Sequence, residues 1–370
     1  MVALFSLRRS SWPATPWSSS ASWRSWHRPL VLFSAAMAVT AVLSAVGLVV
    51  DDRVLAGAPI WAKPFKFSVS FAAYCLSLAW MLSFLPGSRR VGRWAGTVVA
   101  LTSLVEMVII IGQAARGRRS HFNYATPFDE ALYNTMAVTV AVLWTATLVV
   151  AVLLLRARIA DRASAWAMRS GIVLALAGAA VGFRMAQPAP GQRRGVSQVV
   201  GAHSVGVPDG GPSMPLTGWS TTGGDLRIPH FVGLHALQLL PALVMVLTVL
   251  APRFPRLADD RVRLRLVLLG SGAYAAAFGL VLRQALQGRP LIHPDTAMLG
   301  AAGLVLLAVV LGTYGSLRAA RTPSARKATD TEGTSTSTES TSASTDSTPT
   351  SRGSTSASAE STPTSKELTP

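Results

Sequence analysis

Acid is scarce in this sequence. Its 370 residues hold 34 Lys and Arg but only 17 Asp and Glu, a formal net charge of +17. Charge of either sign is sparse, at 14% of residues, where soluble globular domains carry about a quarter. A basic excess can mark a nucleic-acid partner. Here the arginines fall mostly in short gaps between apolar runs, the pattern of loops held on the cytoplasmic face of a membrane, so no nucleic acid is expected. Cysteine is almost missing: Cys75 stands alone, inside an apolar run. That excludes an intrachain disulfide and a cysteine metal cluster, and leaves Cys75 as a small packed side chain. No Walker-type phosphate loop, Gly-x-Ser-x-Gly elbow, His-Glu-x-x-His or haem-attachment cysteine pair is present. Strand-like alternation is missing too, and the apolar runs are too long for barrel strands.

What is abundant is apolar sequence. Half the residues are hydrophobic, and the mean hydropathy is +0.40. Eight apolar runs lie at 29–50, 67–85, 94–115, 134–155, 166–185, 230–250, 264–283 and 297–317. Each is close to the ~20 residues that cross a bilayer as a helix. The first run is longer than a signal-peptide core and ends on Asp51 and Asp52 rather than a cleavage site, so it reads as a retained helix. The expected fold is an all-α polytopic integral membrane protein of about eight transmembrane helices, with the lipid bilayer as its first partner. Its expected parts are a basic arm at 1–29, a bundle at 30–318 with a long loop at 186–229, and a tail at 319–370. The tail is Ser/Thr-rich and too polar to bury a core, so disorder is expected there.

Arginine sets the expected orientation. The arm, the segments 86–93, 156–165 and 251–263, and the segment after 317 hold most of the arginines. That set predicts a multi-pass cell-membrane protein with both termini cytoplasmic. His121, His203, His230, His235 and His293 then fall toward the extracytoplasmic side, with Asp129 and Asp225.

Two helix ends on that side read alike. "GQAARGRRSHFN" contains Gln113, Gly117, Arg118 and His121; "RQALQGRPLIHPD" contains Gln284, Gly288, Arg289 and His293. The following helices open "TPFDEAL" and "HPDTAML", each with a Pro and an Asp suited to capping. The expectation is a parallel 4+4 repeat about an axis along the membrane normal. Chance matching, in a composition heavy in Ala, Gly and Arg, is the competing explanation.

The candidate site is built from several segments. Glu106 is the carboxylate deepest inside a span, about 13 Å from the helix end at ~1.5 Å per residue. An acid there is costly unless it is protonated, paired or wet, which suggests a proton or cation relay or a substrate contact; helix pairing is the alternative. Gln113 is seven residues on and extends a polar stripe from it. In "GDLRIPHFVGLHALQLLP", Asp225, Arg227, His230, His235 and Gln238 stand at the mouth of the sixth run. Five residues turn a helix through about 140°, so His230 and His235 do not share a face, and no metal site is expected there. Lys63, Lys66, Arg116, Arg118 and Arg119 put positive charge on the side where bias disfavours it. An anionic small molecule or lipid head group on the outer side would explain them, as would snorkelling to phosphates.

Catalytic candidates are thus Glu106, His121, Asp129, His230 and His235. Binding candidates are Lys63, Lys66, Gln113, Arg116, Asp225, Arg227, Gln238, Gln284 and His293. No cofactor is indicated. The leading function is a transporter or ion-coupled permease with an outward-facing polar site. A membrane-embedded enzyme acting on a lipid-linked or extracytoplasmic substrate stands second, and a membrane sensor or scaffold third.

Overall fold

The computed structural model describes residues 26–55, 57–85 and 89–319, without the side chain of Arg89. The expected basic arm up to residue 25 and the expected tail from residue 320 lie outside the described residues. Among the described residues, eight helices are long and apolar enough to cross a membrane. They are α1 (Arg28–Val50), α2 (Ala62–Leu82), α3 (Arg89–Ala115), α4 (Pro127–Arg156), α5 (Arg162–Met185), α6 (Arg227–Leu250), α7 (Asp260–Leu286) and α8 (Thr296–Arg318).

Several begin earlier than their apolar runs because polar residues start the first turn. Asp161, Asp259 and Asp295 accept from the backbone N–H groups of Ser164, Arg261 and Met298. Such caps satisfy amides that have no partner within the helix. At α4 the expected Asp cap is corrected. Thr126 is the cap, accepting from the Asp129 N–H, while its hydroxyl donates back to Asp129 Oδ2 at 2.9 Å. The loops add two short ladders to the all-α bundle. β1 (Val54–Leu55) pairs antiparallel with β2 (Ala58–Pro59), and β3 (Ser204–Val205) with β4 (Gly224–Asp225). Ladders of two residues are too short for an alternating pattern to show.

The helix neighbours follow the repeat. In the first half α1 packs along α2 and touches α3, α2 packs on α3, and α3 on α4. In the second half α5 packs along α6 and touches α7, α6 packs on α7, and α7 on α8. Each half carries its two-stranded ladder between its first and second helices. The halves meet where α4 contacts α5 and α2 contacts α6. Both third helices close with the same motif. Gly117 (φ 69°) and Gly288 (φ 71°) adopt the left-handed backbone. The Arg118 N–H then reaches Gln113 O, and the Arg289 N–H reaches Gln284 O, at 2.9 and 3.2 Å. This six-to-one closure needs a residue free of Cβ at the turn.

The tightest helix contact is between α5 and α6. A Cβ at Gly178 would lie 2.6 Å from Gly233 Cα, and one at Gly233 would lie 2.4 Å from Gly178 Cα. In lipid, where burial of apolar surface gives little drive, such close approach supplies the packing. The main core joins α1 to α5, with Leu30, Leu78, Val99, Leu154, Met168 and Ile172 fully buried. Cys75 sits in it as a free, buried thiol. A smaller cluster of Phe122, Tyr133, Val181, Met185 and Leu226 lies under the long loop.

Candidate functional site

The end of the bundle that carries both ladders holds the C-termini of α1, α3, α5 and α7 and the N-termini of α2, α4, α6 and α8. It is called the hairpin end below. A cavity of about 520 Å³ enters there, lined by α2, α3 and α4 of the first half and by α5, α6 and the long loop of the second. That volume is in the range of pockets that enclose a drug-sized ligand. It reaches as far as Tyr74, Glu106, Thr147 and Ala175. Beyond them the bundle is closed by Leu78, Leu154, Met168 and Ile172.

Of the residues singled out in the sequence, Lys63, Lys66, Glu106, His121, Arg227, His230, His235 and Gln238 line this cavity. Glu106 is 1% exposed. Its Oε1 accepts from the Thr139 hydroxyl at 2.5 Å, and no cation forms an ion pair with it among the described residues. The Thr139 hydroxyl also lies 3.0 Å from the carbonyls of Thr135 and Met136. One hydroxyl has one proton. When Glu106 is ionised, Thr139 donates to it; when Glu106 is protonated, it donates to Thr139, which turns its own proton back to the helix carbonyl.

The other candidates lie elsewhere. Gln113 does not extend a stripe from Glu106 into the cavity, which corrects the expectation. Its amide donates to Asp129 Oδ1 at 2.9 Å and to Arg119 O at 3.2 Å. Arg116 donates to the same Asp129 oxygen at 3.0 Å and lies over the Phe128 ring. Asp129 is 1% exposed, and Gln113, Arg116 and Thr126 occupy its carboxylate, tying the start of α4 to the end of α3. Asp225 is equally enclosed. It holds Arg227 through two bonds, Nε at 2.9 Å and Nη2 at 2.6 Å, and accepts from the Ser220 N–H. Gln284 donates to Pro290 O, and His293 is exposed; neither lines the cavity.

The long loop folds over the mouth. Lys66 Nζ donates to Thr217 O at 2.9 Å, and Arg227 Nη2 donates to Gly218 O at 2.5 Å. His203 and Asp209 join through Nδ1 and Oδ2 at 2.9 Å. Burial pushes the Asp209 carboxyl up, but the His203 ring and the N–H groups of His203 and Ser204 outweigh it and hold it below the usual carboxylate range. Burial holds His203 below the ordinary histidine value, against the pull of Asp209. His121 is held well below it, by burial first and then by Lys63, His203 and His230. The rings pack as a set: Phe67 on His121, His121 on Phe122 and Tyr133, and Phe122 on His203 with centroids 4.9 Å apart. On α6, His230 Nδ1 faces Gly178 O at 2.8 Å, so Nδ1 carries the proton and Nε2 is left as an acceptor. His235 Nδ1 meets Gln238 Oε1 at 3.4 Å, and its ring stacks on Phe231.

Positive charge gathers at the mouth. Lys63, Lys66, Arg118 and Arg119 line it, and none of the four has a carboxylate partner among the described residues. Lys63 Nζ sits 5.6 Å from the centre of the Phe67 ring. Arg118 and Arg119 belong to the basic segment before His121 that the sequence marks, with Arg116, as an end able to attract an anion; sequence reading missed Tyr74, Thr139 and Thr147. The Tyr74 hydroxyl donates to Thr147 Oγ1 at 2.5 Å, since Thr147 donates to Leu143 O. No local pattern marks a threonine in an apolar helix as a partner for another helix. Among the described residues, no group of three or more His, Cys, Asp or Glu side chains is arranged to hold a metal ion. No protein-family model, curated protein or solved structure matches the chain, so the site is read from its own chemistry.

Proposed function

We propose that this protein is an ion-coupled transporter that moves an anionic solute, with Glu106 carrying the coupled proton. One observation carries the reading. A cavity between two halves with the same pattern of helix neighbours runs from one end of the bundle to a buried acid at mid-span, and stops there. Transporters built from repeats hold substrate and coupling ion near the midplane at the repeat interface, and rock one half against the other. Glu106 suits proton carriage because Thr139 satisfies its carboxyl in either protonation state. The acid belongs to one half only, since the second repeat places Ala277 at the matching distance from its closing glycine. With the hairpin end taken as extracytoplasmic from the arginine distribution, the cavity faces outward.

His230 favours a second reading, a membrane-embedded enzyme acting on a lipid-linked substrate. His230 lines the cavity, and Gly178 O fixes its ring through Nδ1 and leaves Nε2 as an acceptor, the arrangement of an oriented general base.

The test is reconstitution of the full chain in liposomes that trap a pH-sensitive dye. Gradients of phosphate and of butanesulfonate are imposed, and protein-free liposomes give the background. Protein-dependent movement of protons with the anion is expected, and Glu106→Gln should abolish it while anion binding persists. If anions bind but no protein-dependent flux follows, the transporter reading fails. Butyl phosphate is incubated with the same liposomes in parallel, and its recovery in chemically altered form, lost in His230→Ala, would put the enzyme in the transporter's place.

A further inference from the structure

The cavity is not uniform along its depth. Every lysine and arginine that lines it stands at the hairpin end. Lys63, Lys66, Arg118 and Arg119 are the members without a carboxylate partner among the described residues, and Lys66 bonds only a backbone carbonyl. The deep half is walled mostly by Phe71, Val140, Leu143, Ala179 and Leu176, with Glu106, His235 and Gln238 as polar groups and, among the described residues, no lysine or arginine. The polar Tyr74 and Thr147 at its floor bond each other, so neither asks for a ligand group.

A small hydrated anion would engage the mouth and leave the deep half to water. Apolar cavities hold water poorly, because a water needs two to four polar partners. A cation would meet unneutralised positive charge at the entrance. What matches both halves is a molecule with an acid head and an apolar tail. We infer that the solute of this cavity is an amphiphilic acid, its anionic head among Lys63, Arg118 and Arg119 and its tail against Phe71, Leu143 and Leu176. This inference rests on the reading of the cavity as the solute site. The head group charge and one apolar tail are the recognised chemistry, and their source is either a free organic acid or a membrane phospholipid.

Binding, measured without transport, tests it. The full chain in lipid nanodiscs is titrated with alkyl sulfonates from ethane- to decanesulfonate, which stay charged at all working pH values. Empty nanodiscs supply the partitioning background, and alkyltrimethylammonium ions of matched length supply the opposite charge. Affinity should rise about fourfold per added methylene, the equivalent of roughly 0.8 kcal/mol, until the cavity fills. The ammonium ions should not compete. Lys63→Met should weaken every sulfonate by about tenfold or more while keeping the slope with chain length. Ala179→Leu, which fills the deep half, should keep the short sulfonates and lose the long ones. Dihexanoyl phosphatidic acid binding more tightly than any sulfonate assigns the source to phospholipid, and the reverse order assigns it to free acids. A flat series, in which ethanesulfonate binds as well as octanesulfonate, overturns the inference and leaves the transporter reading intact. Chain-length-dependent binding without flux does the opposite. If Lys63→Met and Ala179→Leu both bind as the parent does, with unchanged helix content by circular dichroism, the placement in this cavity is wrong.

Discussion

Gln113 and Gln284 hold the same place in the two halves of the molecule. Each is buried at the last turn of its third helix, and each side-chain amide donates to a carbonyl six residues on, Arg119 in one half and Pro290 in the other. The halves differ in what is added. Gln113 also donates to buried Asp129 on the next helix, whereas Asp295 in the second half is partly exposed and pairs with Arg289. The first repeat has its third and fourth helices locked through a buried carboxylate, and the second does not.

This asymmetry predicts unequal costs for the same substitution. Gln113→Ala leaves Asp129 short of a donor in a buried position, and should destabilise by roughly 1–3 kcal/mol. Gln284→Ala removes one bond to a backbone carbonyl and should cost about 1 kcal/mol. Thermal unfolding of the two variants in one detergent compares them directly, and equal midpoints would contradict the lock.

Gly178→Ala should be among the most damaging single-atom changes in the bundle. The added methyl would meet Gly233 Cα at 2.6 Å and Leu234 N at 2.7 Å, both backbone, so α5 and α6 must separate. Overpacking of this kind costs about 1–3 kcal/mol. Gly182→Ala is the control on the same helix, since its Cβ would meet only the His230 ring, at 3.4 Å. A lower unfolding temperature for the first variant and not the second is the expected result.

Thr139→Val should slow proton coupling without blocking the cavity. Valine has nearly the shape of threonine but no hydroxyl to answer either state of Glu106. A hydrogen bond to a charged group is worth about 1.5–3 kcal/mol, so a loss of about tenfold or more in coupled proton flux is expected. Flux equal to that of the parent would remove Thr139 from the relay.

The long loop should loosen in acid. His203 and His121 are both held below the ordinary value of 6.5, with burial the largest cause in each. Groups with lowered values contribute stability that is complete above the unfolded value and is lost as pH falls through the folded one. Asp209 is also lowered, from an ordinary 3.8, so its contribution is lost last, in stronger acid. Hydrogen exchange of residues 203–226, corrected for intrinsic rates, should therefore speed up as pH is lowered from 7.5 through 6.5 to 5.5. Protection that stays level or increases over that interval would show that the histidines do not control the loop.

The sequence by itself determined the number of the candidate spans. Bilayer thickness imposes a run length on any crossing helix, and the runs have that length. It also carried the repeat, because a closing turn needs local chemistry: a Gln, then Gly117 or Gly288, then an Arg. Glu106 stood out for the same kind of reason, a charge where hydrocarbon tolerates few. Only the tertiary structure decided which residues face each other. It turned Gln113 away from Glu106 to serve Asp129, put Lys63 and Glu106 on one cavity, and joined Tyr74 to Thr147. The reason is physical. In a soluble helix the buried face is marked by an apolar stripe against a polar one. Here lipid is as apolar as the core, so α1 or α8 reads the same all round. The facing of each helix follows from how closely its backbone can approach a neighbour, as at Gly178 and Gly233, and that information is shared between segments far apart in the chain.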